Sequence, residues 1–331
     1  MPMLSPILLP NEKKNERQTK GLRGFYLVET SSGLKGIVGA IDPKALKRVQ
    51  EPGPESAPRL KKPGKLFHAV YWNDLETPRL DLEGTEVRRG GSRISRVAER
   101  SASALMEYFS EQGTFLVGAE RFLDEAIAAE ENSVPVALWN AGDPNLPWLP
   151  CHRVLRDVDW YQSGWMVCLG REHMFFQDVT SRLLRTTELE FSLQKGIAET
   201  LLETRDDESM SLLAVSKDGA WRIHSKSGWA DGILEHLHPS LREIAVVQLL
   251  LILLPKGLSL SPNDGSQKDR VTVVHDSEEA ITALNEGAQV AYLLSPIRPE
   301  KLRELVQHGQ MLPAESVALN VAALEGWMDA E

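Results

Sequence analysis

Cysteine is nearly missing: Cys151 and Cys168 are the two thiols in 331 residues. Two thiols make no disulfide framework, so the chain reads as a protein of a reducing compartment, and a cytoplasmic location is expected. Long apolar runs are missing too. The longest, Ile244 to Leu254, is interrupted by Gln248 and falls short of the ~18–20 residues that span a bilayer, so it predicts a buried helix and no membrane partner. Met1 to Pro10 is mildly apolar but lacks the basic flank and the length of a secretory signal. Positive charge is in deficit, since 37 Lys and Arg against 47 Asp and Glu leave a net charge of −10. Phosphate contact needs a local positive field, which disfavours nucleic acid as a partner.

What is present is globular composition. Hydrophobic residues make up 42% and charged residues 25%, enough for a sizeable core in two domains or one large one. Asn11 to Lys20 is charged and aperiodic, so residues 1–20 read as a mobile tail. FYLVET and GIVGAI are strand-like around a turn at Ser31, Ser32 and Gly33. Gln50 to Gly64 holds four prolines among polar and basic residues and reads as a surface loop. KLFHAVYW predicts a strand, Ser95 to Phe109 a helix, TFLVG a strand, AERFLDEAIAAEE a helix and VPVALW another strand.

The second half starts near Asp157. Phe175 to Leu202 has mostly helical spacing. LLAVS and KDGAWRIHS resemble a hairpin turning at Asp218-Gly219. Pro239 opens the apolar helix, which is expected to end before Pro255. In the last sixty residues VTVVH predicts a strand, Asp276 with Glu279 a capping box, and Gly287 a helix end. QVAYLLSP predicts a second strand, and Pro299 and Gly309 bound a second helix. That order favours a parallel strand pair with a right-handed crossover.

Several of these segments resemble the domain of unknown function 1015 family. In the closing run, Pro313, Ser316 and Gly326 match that family's pattern. Glu315 and Ala322 stand in place of its two Lys, and Val317 in place of its Thr. FLVGAERFLDEA resembles the family's Ala-Asp-Gly-His-His-Arg-Tyr stretch at Gly118, Arg121 and Phe122. There Val117 replaces the Asp, and Ala119 and Glu120 replace the two His. LPCHRVL resembles Leu-Pro-Thr-His-Arg-Leu with Cys151 in place of Thr. EPGPES falls where a His-Glu-x-Thr element is expected, with Glu55 and Ser56 remaining. The resemblance covers residues 21 to 331.

GAERFLDEAIAAEENSVPV is also similar to the Gly-Glu-Arg-Arg helix and Val-Pro-Val strand of the ParB/sulfiredoxin superfamily. Members hold nucleotide phosphates at that helix start. The resemblance implies a mixed α/β (α+β) fold: a small ParB/sulfiredoxin-like sheet-and-helix half, residues 21–156, packed on a C-terminal α/β half, residues 157–331. It also implies a phosphate site at Gly118 and Arg121. The chemistry is sound, since unpaired N–H groups and the positive end of a helix attract an anion and an Arg supplies a fork. A Gly before an amphipathic helix is equally common as plain structural punctuation.

Loss of the two His, the Asp and both Lys removes proton carriers and phosphate-neutralising groups, which weighs against catalysis. The expected function is therefore a divergent, catalytically silent scaffold that binds a ligand or partner, a phosphorylated small molecule being the ligand class, with no cofactor. The alternative is a phosphotransferase or nucleotide hydrolase using Glu120 as base and Arg121 as anion fork.

Cys151, His152 and Arg153 are secondary candidates. Pro-Cys-His-Arg-Val is also the active-site string of DNA alkyl-acceptor proteins, whose Cys takes an alkyl group from guanine and needs a lowered thiol pKa. Nothing upstream resembles their DNA-reading segment, and the Gly-Gly-Tyr run after the motif is missing. A small buried Cys151 beside a strand-ordering His152 and Arg153 is the simpler expectation. Cys151, His152, Cys168 and His173 match no zinc-site spacing, so no metal is expected. His236 and His238 flank a helix start and are expected to cap it or face solvent. Trp221 and Trp229 read as core. Asp124 and Glu125 lie one turn past Arg121, within reach of it or of solvent.

Overall fold

The computed structural model describes residues 24–52, 66–72, 78–89, 91–111, 113–118, 120–158, 174–178, 211–217, 219–225, 231–261 and 269–320. The tail at residues 1–20, Glu55, Ser56, Ala119, Cys168, His173, Trp229 and Gly326, all named above, lie outside the described residues. The fold is mixed α/β. The chain divides into two compact units, Met1–Pro147 with Leu319–Glu331, and Trp148–Ala318.

Among the described residues the first unit has eight strands in one sheet, larger than the sequence led us to expect. They are β1 (Tyr26–Glu29), β2 (Lys35–Ile41), β3 (Lys47–Arg48), β4 (Phe67–Tyr71), β5 (Leu82–Arg89), β6 (Ser92–Val97), β7 (Thr114–Leu116) and β8 (Val134–Asn140). Their spatial order is β3-β7-β4-β8-β2-β1-β6-β5. The β1–β2 hairpin turns where expected, with Gly33 at φ +83 and its N–H donating to the Thr30 carbonyl at 2.9 Å. Two helices follow, α1 (Glu99–Glu111) and α2 (Glu120–Ala128). The expected helix from Ser95 begins later, because Ser92–Val97 pairs with both β1 and β5. Strand pairing there overrides helical spacing.

Leu105, Tyr108 and Phe109 of α1, and Leu123 and Ala126 of α2, share one buried cluster with Ile37, Ala69, Tyr71, Leu116 and Leu138 of the sheet. Tyr71 meets Phe109 edge to face, with centroids 5.0 Å apart at 87°, the arrangement ring quadrupoles favour. The other face of the sheet is equally buried at Val28, Val38, Val70, Ala137 and Trp139. Trp139 lies directly across from Gly36, and a Cβ at Gly36 would stand 2.5 Å from the indole. The indole N–H donates to His68 Nδ1 at 3.2 Å. Burial holds His68 down at about 4, so the ring stays a neutral acceptor.

The second unit holds β9 (Trp148–Leu149), β10 (His152–Leu155), β11 (Met174–Asp178), β12 (Ser211–Ser216), β13 (Gly219–Ser225), β14 (Val271–Val274) and β15 (Val290–Leu294). Six of them form a sheet in the order β11-β13-β12-β15-β10-β14. The boundary falls before residue 156 because β10 is an inner strand here. It runs antiparallel to both β14 and β15. The strand–helix–strand unit expected near the C-terminus is therefore present in split form, its two like-directed strands separated by β10. The β12–β13 hairpin forms as expected, with Trp221 buried.

Two helical expectations in this unit need correction. Met174–Asp178 is a strand paired with β13, since a five-residue run with two aromatics suits a sheet edge once a partner strand is offered. The rest of the span to Leu202 lies outside the described residues. The apolar stretch after Pro239 is also not one helix. Pro239–Arg242 is a single turn, Ala245–Gln248 another, and Leu249–Gly257 a π-helix that includes Pro255. An α-helical register would set the Pro255 ring against the carbonyl four residues back. Helices Ser277–Asn285 and Pro299–Gln307 match the sequence reading. Ala280, Ala283 and Leu284 of the first share a cluster with Val154, Val274, Ala291 and Leu293.

Gly36→Ala should destabilise the first unit by about 1–3 kcal/mol, the usual cost of overpacking a filled core. Urea unfolding of the full chain followed by tryptophan fluorescence reads this. An unchanged midpoint would mean that the indole moves aside at no cost.

Candidate functional site

The segment from Gly118 to Arg121 lies where two like-directed strands end. Strands β3 and β7 run parallel, Lys47 opposite Phe115 and Arg48 opposite Leu116. Val49 and Gln50 follow the first, Val117 and Gly118 the second, and α2 starts at Glu120. Carboxyl ends of neighbouring parallel strands beside a helix start are where open α/β sheets place ligands. Gly118 sits at φ +74 with open space around the position of a Cβ, so it is there for the turn and not for close packing.

The Glu120 side chain folds back onto this corner. Its Oε1 accepts the Gly118 N–H at 2.8 Å, and its own backbone N–H and the Gln50 side chain also bond to the carboxyl group. The residue is buried at 5% exposure, as is Gln50 at 4%. Burial raises the Glu120 carboxyl to about 7, against the opposing pull of those hydrogen bonds and of Arg48. Arg48 itself pairs with Asp124, so Asp124 reaches across to β3. The side chain of Arg121 lies outside the described residues, and its backbone forms the second position of α2. Sequence reasoning missed Arg48 and Gln50. Gln50 reads as the start of a loop, and nothing in the sequence ties it to a residue seventy positions away.

The secondary candidates assemble differently. Cys151 is buried at 3% exposure, with Sγ 3.7 Å from His275 Nδ1. Burial pushes its thiol up to about 11, which outweighs the lowering influence of Arg153. A thiol held protonated is a poor nucleophile. His152 Nδ1 accepts the Leu294 N–H at 3.0 Å, satisfying a strand donor just past the end of β10. Burial, then His275, lowers that imidazole to about 4, and its buried Nε2 meets no partner among the described residues. Arg153 is buried as well. Its Nη1 donates to the Cys151 carbonyl at 2.7 Å and its Nη2 to the Glu315 carbonyl at 2.9 Å. Glu315, one of the positions where the family resemblance has Lys, sits at φ +57. This cluster fastens chain segments together and offers a reagent no ionised nucleophile.

Among the described residues no three His, Cys, Asp or Glu side chains converge to hold a metal. None of the helices there is long and apolar enough to cross a membrane.

No protein-family model and no curated protein matches the chain. It is similar to several solved structures at low identity, three of which follow. One is a conserved hypothetical protein from Pyrococcus furiosus, at 7% identity over 85% of this chain and 89% of that one, with a TM-score of 0.39. The second is a free serine kinase in complex with AMP, at 8% identity over 85% and 86%, with a TM-score of 0.41. The third is SbnI with a C-terminal truncation from Staphylococcus aureus, at 11% identity over 86% and 83%, with a TM-score of 0.40. Likeness at this level decides nothing about ligand or activity.

Two outcomes follow from the geometry. A carboxyl raised from 4.5 to about 7 on folding favours the folded state most below pH 4.5, and that contribution is lost as pH rises through 7. Glu120→Gln, which mimics the protonated form, should therefore gain stability relative to wild type as pH rises from 4.5 to 7 and level off above. The gain is on the order of 3 kcal/mol. Parallel stability profiles for the two proteins would contradict the burial of this charge. Cys151 should take up no alkyl group from O6-alkylguanine DNA, as read by intact mass. A stoichiometric adduct that Cys151→Ser abolishes would overturn that expectation.

Proposed function

We propose that the chain is a divergent member of the domain of unknown function 1015 family, within the ParB/sulfiredoxin-like superfamily, and serves as a ligand- or partner-binding scaffold without catalysis. The observation that carries this reading is the Glu120 carboxyl on the Gly118 N–H. That carboxyl takes the N–H groups of Gly118 and of Glu120 itself at the turn into α2, donors that an arriving anion would otherwise use. The positions where the family resemblance implies His and Lys carry Ala119, Glu120, Glu315 and Ala322, so proton transfer and charge neutralisation lack their usual groups. The ligand class this site fits is a phosphorylated small molecule bound weakly, in competition with Glu120.

The second reading is a phosphotransferase or nucleotide hydrolase with Glu120 as general base and Arg121 as anion fork. It draws on the raised Glu120 carboxyl, since a value of about 7 suits a base working near neutral pH.

One experiment separates the two. Wild-type protein is incubated with ATP and with ADP, and its melting temperature is followed with both nucleotides and with phosphoserine. The scaffold reading expects no turnover and only small shifts. Glu120→Ala should release the Gly118 donor and enlarge the shifts, and adding Arg121→Ala should cancel the gain. Turnover abolished by Glu120→Gln would establish the enzymatic reading in its place. If Glu120→Ala gains nothing, the start of α2 is not the ligand site.

A further inference from the structure

We propose that two copies of this chain associate through the outer edge of β14, strand to strand and antiparallel, about a two-fold axis at Val273. β14 ends the six-stranded sheet, and among the described residues it pairs with β10 alone. In an antiparallel ladder, residues that exchange hydrogen bonds alternate with residues that do not. The Arg156 N–H donates to the Arg270 carbonyl at 2.9 Å, one step beyond the Leu155–Val271 pair. Thr272 and Val274 therefore turn their peptide groups toward β10. Val271 and Val273 turn theirs the other way, to the side where no strand follows.

Proteins blunt an open edge of this kind with Lys, Pro, a bulge or an inward charge. The four residues Val271–Val274 are Val-Thr-Val-Val and hold no charge and no proline. Their register with β10 runs unbroken, so no bulge bends the edge away. Thr272 is exposed, and Val271 and Val273 are half-buried. β-Branched residues in this setting suit the addition of one more strand.

A second copy fits the edge best in one register. Antiparallel pairing must set outward peptide groups against outward peptide groups, so a slide by a single residue loses the ladder. With Val273 opposite Val273 of the second copy, Val271 stands opposite His275 and Thr272 opposite Val274. Arg270 then stands opposite Asp276, once on each side of the axis. Opposite charges directly across a strand pair attract, and the contact is isologous, as two-fold dimers require. Moving the axis to Thr272 would set Arg270 against Val274 and give up both charge pairs. Each charge is anchored by its own chain: Arg270 Nη2 donates to the Asp157 carbonyl, and Asp276 caps the helix Ser277–Asn285. A strand of four residues covers little area, so the dimer is weak and reversible.

The test takes the full chain from low micromolar to near-millimolar concentration in sedimentation velocity. Hydrogen–deuterium exchange of the peptide covering residues 271–275 is followed at both ends of that range. A monomer–dimer equilibrium is expected, with protection of this peptide rising with concentration. Val273→Pro should abolish the dimer and keep the melting temperature near wild type, since an edge strand tolerates a proline on its outward side. Arg270→Glu should weaken association by roughly ten-fold, because two attractive pairs become repulsive. If Val273→Pro does not fold, Arg270→Glu and the exchange profile decide. A monomer throughout, or a dimer that the variants leave unchanged, would overturn the proposal. So would protection that is independent of concentration, which means that another part of the chain covers the edge. Growth past the dimer would also overturn it, since β14 would then be pairing with a different strand.

Discussion

The start of a helix must find acceptors for N–H groups that have no partner within the helix, and at α2 Glu120 meets that demand from inside. Its carboxyl turns back onto the Gly118 N–H and takes a further bond from the Gln50 side chain. This joins the end of β7, the residues after β3 and the first turn of α2. The arrangement works because the group is poised between two penalties. Fully ionised, it is a buried charge near the Arg48 guanidinium, which is already shared with Asp124. Protonated, it gives up part of its attraction to the N–H donors. Burial prevails, and the carboxyl titrates near neutrality. The corner for which the family resemblance implies a phosphate thus holds a carboxyl group of the protein itself.

The second unit solves a related problem with a cation. Arg153 lies in an inner strand and spends its guanidinium N–H groups on the carbonyls of Cys151 and Glu315. Removing a guanidinium from water costs several kcal/mol unless its donors are used, and two carbonyls from distant parts of the chain use them. The consequence reaches the neighbours. The chain before β10 is held tightly enough that Cys151 stays a buried, protonated thiol, and the His152 ring serves as an acceptor for a strand N–H. A pentapeptide that reads as reactive thus becomes a fastening, because reactivity needs an ionised thiol and this enclosure opposes ionisation.

The sequence alone determined most of the local structure. The β1–β2 and β12–β13 hairpins, strands β4, β7 and β8, helix α2, the helix capped by Asp276 and the helix opened by Pro299 all follow from patterns within a dozen residues. Turn residues, caps and apolar periodicity act over that range. The same patterns marked Gly118 and Glu120 as a strand-to-helix corner and Cys151 as a small buried side chain. What they could not supply was any pairing between segments. The insertion of β10 between β14 and β15, the strand at Ser92–Val97 where helical spacing runs on from Ser95, the approach of Gln50 and Arg48 to Glu120, and the approach of the His238 and His308 rings each join residues far apart in the chain. Such contacts are fixed by which strand edges are free and which faces need covering. That the Glu120 carboxyl turns back onto the Gly118 N–H is settled by a rotamer and by burial, and both are properties of the packed protein.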